Sequence, residues 1–170
     1  MKHTVYIGAG SNTGDRLGNI RKALNLLDNP GDGKITALSS LYETLPFGYK
    51  EQENFYNLVF LYETSLEPEA LLHLIKKIEK ETGRKERERW HEREIDLDIL
   101  LYDSLVYKSP LLTIPHPGLI NRDFVILPLL ELNNNIAHPE SGIKLNSIVI
   151  PEPDRCVIRK INQEFFKNEQ

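Results

Sequence analysis

Residues 95–102 read Ile-Asp-Leu-Asp-Ile-Leu-Leu-Tyr, an alternation of aliphatic and acidic side chains on which the fold prediction depends. Successive side chains of a β-strand point to opposite faces of the sheet, so this period of two predicts a strand. Asp96 and Asp98 then share one face, with Cα atoms roughly 6.5 to 7 Å apart. The opposite face is predicted to carry Ile95, Leu97, Ile99 and Leu101 into a core.

The elements before this strand complete a known arrangement. In chain order, we predict a strand at 4–8, a glycine turn at 8–12, a helix from about 15, strands at 34–42 and 55–62, and a helix from 68 to 83. With 95–102 the order is βαββαβ, an α+β fold of the ferredoxin-like type. The rest of the chain, with a helix from about Arg122 to Leu132, is expected to extend one domain over 1–170.

Composition restricts the class of protein. With 170 residues, 40% of them hydrophobic, the chain can bury a core without disulfides, and it has one cysteine. Acidic residues outnumber basic ones by 25 to 21, which argues against nucleic acid and anionic membrane as partners. No apolar run reaches the roughly 20 residues of a membrane span. We therefore expect a cytoplasmic protein.

Asp96 and Asp98 are candidate metal ligands. Two carboxylates held this close repel each other unless a cation lies beside them, and paired oxygen ligands suit Mg²⁺. For an isolated Asp-x-Asp, a solvent-facing strand is the commoner explanation. The basic loop 84–93 changes the balance, because its five lysines and arginines lead directly to the aspartates and guanidinium groups pair with phosphate. Four glutamates in 86–94 leave a solvated loop as the alternative, against which Trp90 argues modestly.

Other motifs add to the phosphate hypothesis or drop out. His116, Arg122 and Phe124 place an imidazole, a guanidinium and an aromatic ring within a short span. Residues 8–10, Gly-Ala-Gly, lack the third glycine of a dinucleotide-binding fingerprint. There is also no Walker-type phosphate loop and no zinc spacing in the sequence.

Taken in order, the motifs resemble those of the hydroxymethyldihydropterin pyrophosphokinases over nearly the whole chain. They are Gly10-Ser11-Asn12, Tyr42-Glu43-Thr44, Asn54-Phe55-Tyr56-Asn57, Arg89-Trp90, the run from Arg93 to Ile99, the run from Leu112 to His116, and Asn121-Arg122-Asp123-Phe124. The resemblance implies a monomer that uses ATP as co-substrate and two Mg²⁺ ions. It also implies transfer of pyrophosphate to 6-hydroxymethyl-7,8-dihydropterin, with release of AMP, in folate biosynthesis.

The same resemblance implies roles for individual residues. Asp96 and Asp98 hold the metal ions and, with Arg84 and Arg93, are catalytic. The implied ATP-binding residues are Glu79, Arg84, Arg89, Trp90, Arg93, Ile99, Thr113, His116 and Arg122. The implied pterin-binding residues are Thr44, Leu45, Phe47, Phe55, Asn57, Trp90, Asp96 and Phe124, with Phe55 and Phe124 sandwiching the ring. The chain departs from residues common in the family at Leu45, Phe55 and Pro117, which stand where proline, tyrosine and tyrosine are frequent.

Two alternatives remain open at the level of sequence. One is another metal-dependent nucleotidyl or phosphoryl transferase that shares the paired aspartates and the basic loop. The other is a ferredoxin-like module that binds single-stranded RNA, which requires exposed aromatic residues on the sheet and a basic surface. The acidic balance of the chain argues against the RNA-binding module.

Overall fold

The structure, a computed structural model, describes residues 1–161. Its strands are β1 (His3–Ser11), β2 (Gly33–Leu38), β3 (Leu41–Thr44), β4 (Phe55–Thr64), β5 (Asp96–Tyr102), β6 (Tyr107–Lys108), β7 (Thr113–Ile114) and β8 (Val157–Ile161). Its α-helices are α1 (Arg16–Leu27), α2 (Pro68–Thr82) and α3 (Asp123–Leu132), and short 3-10 helices span Leu119–Asn121, Leu145–Ser147 and Glu152–Asp154. No helix within 1–161 is long and apolar enough to cross a bilayer.

An antiparallel sheet in the order β5-β1-β4-β3-β8 forms the centre of the molecule, and β2 also pairs with β4. The predicted α+β ferredoxin-like order is confirmed, with β2 and β3 together in place of one second strand. That strand breaks because the buried Ser39 and Ser40 turn their polar groups inward. The Ser39 hydroxyl accepts the Val59 N–H at 2.9 Å and donates to the Ser40 carbonyl at 2.8 Å.

The two faces of the sheet carry different helices. On one face, apolar residues of α1 and α2, such as Ile20 and Ile75, pack on Ile7 and Leu97 in the larger core. On the other face, α3 packs on Val59, Leu100 and Leu101 in a smaller core. The other buried members of this core include Leu119, Val125, Ile126 and Leu129. Helix α2 ends at Gly83, whose φ of 111° favours glycine, as predicted.

The face predicted for Leu101 is wrong. A β-bulge shifts the pairing of β1 with β5, so that Tyr6 opposes Leu101 while Ile7 opposes Ile99. The extra residue places Leu100 and Leu101 in the same small core, on the side of α3. The aspartates and the other three apolar residues keep the faces that the alternation predicts.

The glycine turn predicted at 8–12 is also wrong, because β1 continues to Ser11. Gly10 pairs with Asn57 on one side and with Asp96 on the other. A Cβ atom at Gly10 would lie 2.4 Å from Asn57 Oδ1. This glycine therefore permits a close approach between a strand backbone and a neighbouring side chain.

Candidate active site

An open pocket lies on the α3 face of the sheet, where strand backbones meet two loops. Its floor includes Gly10 of β1, Asn57 of β4 and Asp96, Asp98 and Leu100 of β5. About 720 Å³ of empty space lies over this floor, with the open solvent at its mouth included. The eight residues predicted to bind pterin all line it, namely Thr44, Leu45, Phe47, Phe55, Asn57, Trp90, Asp96 and Phe124.

Aromatic rings form the walls of this pocket. The ring centroid of Phe47 lies 6.0 Å from that of Trp90 and 6.2 Å from that of Phe124, with the rings tilted by 56° and 59°. Phe55 lines the pocket from β4. Asn57 adds an amide, which donates from Nδ2 to Thr44 Oγ1 at 2.8 Å and is thereby held in one orientation. Aromatic faces with a few fixed polar groups suit a planar, polar heterocycle.

Asp96 is held by two arginines from the basic loop. Arg84 Nη1 lies 3.0 Å from Asp96 Oδ1, and Arg93 Nη1 lies 2.8 Å from Oδ2. Arg84 Nη1 also lies 2.8 Å from Glu79 Oε2. Glu79 is 3% exposed and accepts the Leu97 N–H at 2.8 Å, so it fixes the backbone between the two aspartates. Burial raises the pKa of Glu79 above its ordinary value, against the opposing effect of Lys76.

Among residues 1–161, no arginine lies at hydrogen-bond distance from Asp98. Burial in the cleft, and then the neighbouring charge of Asp96, raise the pKa of Asp98 to about 7. The Asp98 side chain is nevertheless 37% exposed, so water screens part of this effect. In its ionised form, this carboxylate is poorly compensated by protein charges and therefore suited to a cation.

His116 stands beside Asp98 with Nε2 4.0 Å from Asp98 Oδ1. Its Nδ1 accepts the Gly118 N–H at 3.0 Å, and its own backbone N–H donates to the Leu100 carbonyl at 3.0 Å. Burial, and then the Arg122 charge, lower the pKa of His116 to about 4. The imidazole is therefore neutral near pH 7, with its proton on Nε2 because Nδ1 is an acceptor.

Arg122 is a cation in the pocket wall that forms no ion pair with any residue in 1–161. Its guanidinium carbon lies 4.9 Å from the Phe47 ring centroid and 5.8 Å from that of Phe124. The Arg122 Nε atom is buried without a hydrogen-bond partner. Arg122 is therefore available to an anion that enters the pocket.

A hydrogen-bonded latch joins the two loops over the pocket, and the sequence did not indicate its central residue, Gln52. Gln52 Nε2 donates to the Trp90 carbonyl at 2.7 Å, while Gln52 Oε1 accepts from Asn12 Nδ2 at 2.9 Å. The fully buried Asn12 also accepts the Arg93 N–H at 2.8 Å. A lone glutamine in a polar loop carries no sequence signal, because its partners are 38 and 40 residues away.

Several residues predicted to bind ATP lie outside the pocket lining. Ile99 is 3% exposed in the core under α1 and α2, while Thr113 is half-buried in β7. Arg84 and Arg89 line an adjoining cavity of the basic loop, which Arg93 shares with the main pocket. The site therefore has two parts, a pocket lined by aromatic side chains and an adjoining cavity lined by the basic loop.

The carboxylate pair fits a divalent ion that is coordinated partly by the protein and partly by a substrate. Within residues 1–161, no cluster of three or more His, Cys, Asp or Glu side chains could hold a metal ion by itself. Asp96 and Asp98 supply two oxygen donors, which leaves coordination positions for water and for phosphate oxygens. Mg²⁺ is usually bound in this way.

Comparison with known proteins identifies the family. A family model described as 7,8-dihydro-6-hydroxymethylpterin-pyrophosphokinase (HPPK) matches residues 6–134. The chain belongs to the HPPK family. Membership confirms the predicted pyrophosphokinase activity on hydroxymethyldihydropterin in folate synthesis, with ATP as co-substrate. The family is one of enzymes, whereas the second alternative from the sequence was an RNA-binding module.

Related sequences agree with this assignment. The chain is 50% identical over 136 residues to the 2-amino-4-hydroxy-6-hydroxymethyldihydropteridine pyrophosphokinase of Aquifex aeolicus. This match covers 80% of the chain and 84% of the relative. It is 42% identical over 132 residues to the Bacillus subtilis enzyme of that name, covering 78% and 79%. The folic acid synthesis protein FOL1 of Dictyostelium discoideum is longer. At 40% identity, the match covers 92% of this chain and 24% of that protein.

A solved structure supports the fold. The crystal structure of Plasmodium falciparum HPPK-DHPS with pterin and p-hydroxybenzoate superposes with a TM-score of 0.69 at 18% identity. The match covers 87% of this chain and 41% of that one. At this identity the likeness concerns the fold alone, and it agrees with the antiparallel sheet and its helices.

Proposed function

We propose that this chain transfers the pyrophosphate of ATP to the hydroxymethyl group of 6-hydroxymethyl-7,8-dihydropterin, with two Mg²⁺ ions held at Asp96 and Asp98, and releases AMP. The observation that carries the proposal is the meeting of two environments in one pocket. Aromatic walls at Phe47, Trp90 and Phe124 lead directly to the carboxylate pair. A flat ring and a charged phosphate chain would therefore be held end to end.

The pterin end of the pocket would bind by stacking and by edge hydrogen bonds. Phe55 and Phe124 supply ring faces, and Asn57 supplies an amide whose orientation is fixed by Thr44. Aromatic contacts of this kind contribute on the order of 0.5–1.5 kcal/mol each beyond the area they bury. The hydroxymethyl group would then point toward Asp96 and Asp98.

The phosphate end would use the carboxylates and the basic loop. When bound, Mg²⁺ supplies charge neutralisation for the phosphate oxygens. Hydrogen bonds from Arg84 and Arg93 hold Asp96 in the structure. When the Asp96 carboxylate binds a metal ion instead, both arginines would move to phosphate oxygens. Both arginines can make this exchange because a guanidinium forms bidentate hydrogen bonds with carboxylate and with phosphate.

Arg122 and His116 would complete the phosphate site. Arg122 has no carboxylate partner in 1–161 and faces the pocket, so it can meet a phosphate without giving up an ion pair. His116 is neutral near pH 7 and presents Nε2–H beside Asp98, where it can donate to an oxygen atom. Positioning and electrostatic stabilisation then carry the transfer. The pterin hydroxyl oxygen would attack the β-phosphorus, the bond from that phosphorus to the oxygen bridging it to the α-phosphorus would break, AMP would leave with that oxygen, and the hydroxyl proton would pass to water.

The remaining predictions from sequence stay proposals. They are the ATP contacts of Glu79, Arg89, Trp90, Ile99 and Thr113, one domain over 1–170, and a monomer in the cytoplasm. Glu79 has a second role in the described contacts, because its carboxylate fixes Leu97 and Arg84. Its effect on ATP would in that case be transmitted through β5 and Arg84.

The test is product analysis with ATP, Mg²⁺ and the pterin alcohol. Wild type should form AMP and the pterin diphosphate, and Asp96→Ala and Asp98→Ala should each lose more than about a hundredfold in rate. Asp154→Ala is the matched control, because Asp154 is exposed and lies outside the pocket. Addition of EDTA should stop the reaction and excess Mg²⁺ should restore it.

Two outcomes would contradict the proposal. ADP or free pyrophosphate in place of AMP would indicate one of the other metal-dependent transferases. Unchanged rates in both aspartate variants would remove the metal site from β5.

A further inference from the structure

The C-terminal strand β8 lies outside the part of the chain that the HPPK family model matches, which ends at residue 134. In the structure, β8 pairs with β3, and Thr44 of the pocket opposes Val157. Residues 150–161 contribute no side chain to the pocket lining. Any effect of this segment on the substrate would therefore pass through the elements it holds.

Asp123 connects β8 to the pocket. It is the first residue of α3 and is 7% exposed. Its Oδ2 accepts the N–H groups of Cys156 and Val157, both at 2.9 Å, and its Oδ1 accepts the Phe124 N–H at 2.8 Å. Three backbone donors and a helix N-terminus thus compensate one buried carboxylate.

Both chain neighbours of Asp123 lie in the pocket wall. Arg122 and Phe124 line the pocket, and Phe124 donates its backbone N–H to the Asp123 carboxylate. A displacement of Asp123 would move both side chains, because they share its backbone.

A second connection runs from Cys156, the residue before β8, to another part of the pocket wall. The Cys156 carbonyl accepts the Leu45 N–H at 2.8 Å, and Leu45 lines the pocket at the start of the loop that carries Phe47. The Cys156 peptide therefore bonds on one side to Asp123 and on the other to Leu45. One short segment fixes the distance between two walls of the pocket.

We propose that Asp123 is a positioning residue for the pterin substrate, and that it acts by clamping residues 156–157 between α3 and Leu45. The inference rests on the proposed function, because the walls it fixes are those assigned to the pterin ring. If the hydrogen bonds from residues 156–157 to Asp123 are lost, Phe124 can move away from Leu45. The pterin ring is then held in a wider, less ordered pocket. The affinity for the ring then falls, because stacking and edge contacts weaken steeply with distance.

The decisive variant is Asp123→Asn, which keeps the size of the side chain but sets an NH₂ group against backbone N–H donors. Its matched control is Glu131→Gln on the same helix. Glu131 also ties α3 to the sheet, through the Ser40 N–H at 3.1 Å, the Tyr42 hydroxyl and Lys160 at 3.6 Å. None of these four residues lines the pocket.

Pterin affinity can be followed by the fluorescence of Trp90, the one tryptophan of the chain. At a temperature where both variants are folded, Asp123→Asn should raise the pterin Kd and KM about tenfold, while kcat at saturation stays within about threefold of wild type. Glu131→Gln should lower the melting temperature but leave the pterin Kd within about twofold. A Kd for Asp123→Asn within twofold of wild type, or equal weakening in both variants, would overturn the proposal.

A measurement on wild type decides the matter should Asp123→Asn fail to fold. Amide hydrogen exchange with and without pterin should show increased protection in 156–161 although this segment does not touch the pocket. No change in protection there, with clear protection at 44–47 and 122–124, would refute the clamp. Wild type that binds no pterin at all would instead refute the proposed function and leave the hydrogen bonds of Asp123 as structural ones.

Discussion

Replacement of Asp98 by asparagine should stabilise the protein at high pH while abolishing its activity. The pKa of Asp98 is raised from its ordinary 3.8 to about 7, chiefly by burial. The folded protein therefore retains a proton that the unfolded chain has released, and the stability cost grows as pH rises from 3.8 to 7. The full shift is equivalent to roughly 4 kcal/mol. Because 37% of the side chain is exposed, we expect a gain of about 1 to 2 kcal/mol.

Urea denaturation in EDTA, at pH 5 and at pH 8, measures this effect. The difference between Asp98→Asn and wild type should be larger at pH 8, where the ionised carboxylate is present in the folded protein, than at pH 5. Asp154→Asn, at an exposed carboxylate, serves as control and should show no such dependence. If the free energies of unfolding of Asp98→Asn and wild type differ by the same amount at both pH values, the ionised Asp98 carboxylate does not destabilise the metal-free protein, and this account is refuted.

Two further predictions concern the floor of the pocket and its imidazole. Gly10→Ala would place a Cβ 2.4 Å from Asn57 Oδ1, so we expect the Asn57 amide to move. The pterin KM should then rise about tenfold in steady-state kinetics, and the free energy of unfolding should fall by about 1 to 3 kcal/mol in denaturation experiments. An unchanged KM would show that Asn57 does not hold the substrate. Because the pKa of His116 falls from 6.5 to about 4 on folding, the unfolded chain binds the extra proton and stability should drop as pH falls from 6.5 toward 4. His116→Asn should reduce that slope in unfolding experiments at pH 5 and 7, and an identical slope would contradict the cause given for the shift.

Local patterns were sufficient for much of this protein. The alternation in 95–102 predicted β5 and placed Asp96 and Asp98 on one face, because the period of a strand depends only on neighbouring residues. Proline and glycine likewise marked the start and end of α2. The ordered motifs also led to the family that comparison later established.

Predictions failed where a residue depends on partners distant in the chain. Gly10 looked like part of a turn, and only the approach of Asn57 shows that it belongs inside β1. The face of Leu101 depends on a bulge in the pairing with β1, which no pattern within β5 reveals. Ser39 broke a predicted strand because its hydroxyl found a backbone partner on β4.

The sequence by itself determined the βαββαβ order up to β5, apart from the break between β2 and β3, together with the carboxylate pair and the family, because these follow from short-range periodicity and from motifs. The tertiary structure alone decided how the pocket is held together. Gln52 joins two loops, and the Asp123 carboxylate accepts backbone N–H groups more than thirty residues away in the chain. Such contacts are set by where folding brings backbone donors and buried carboxylates together, and the cost of leaving either without a partner fixes them in place.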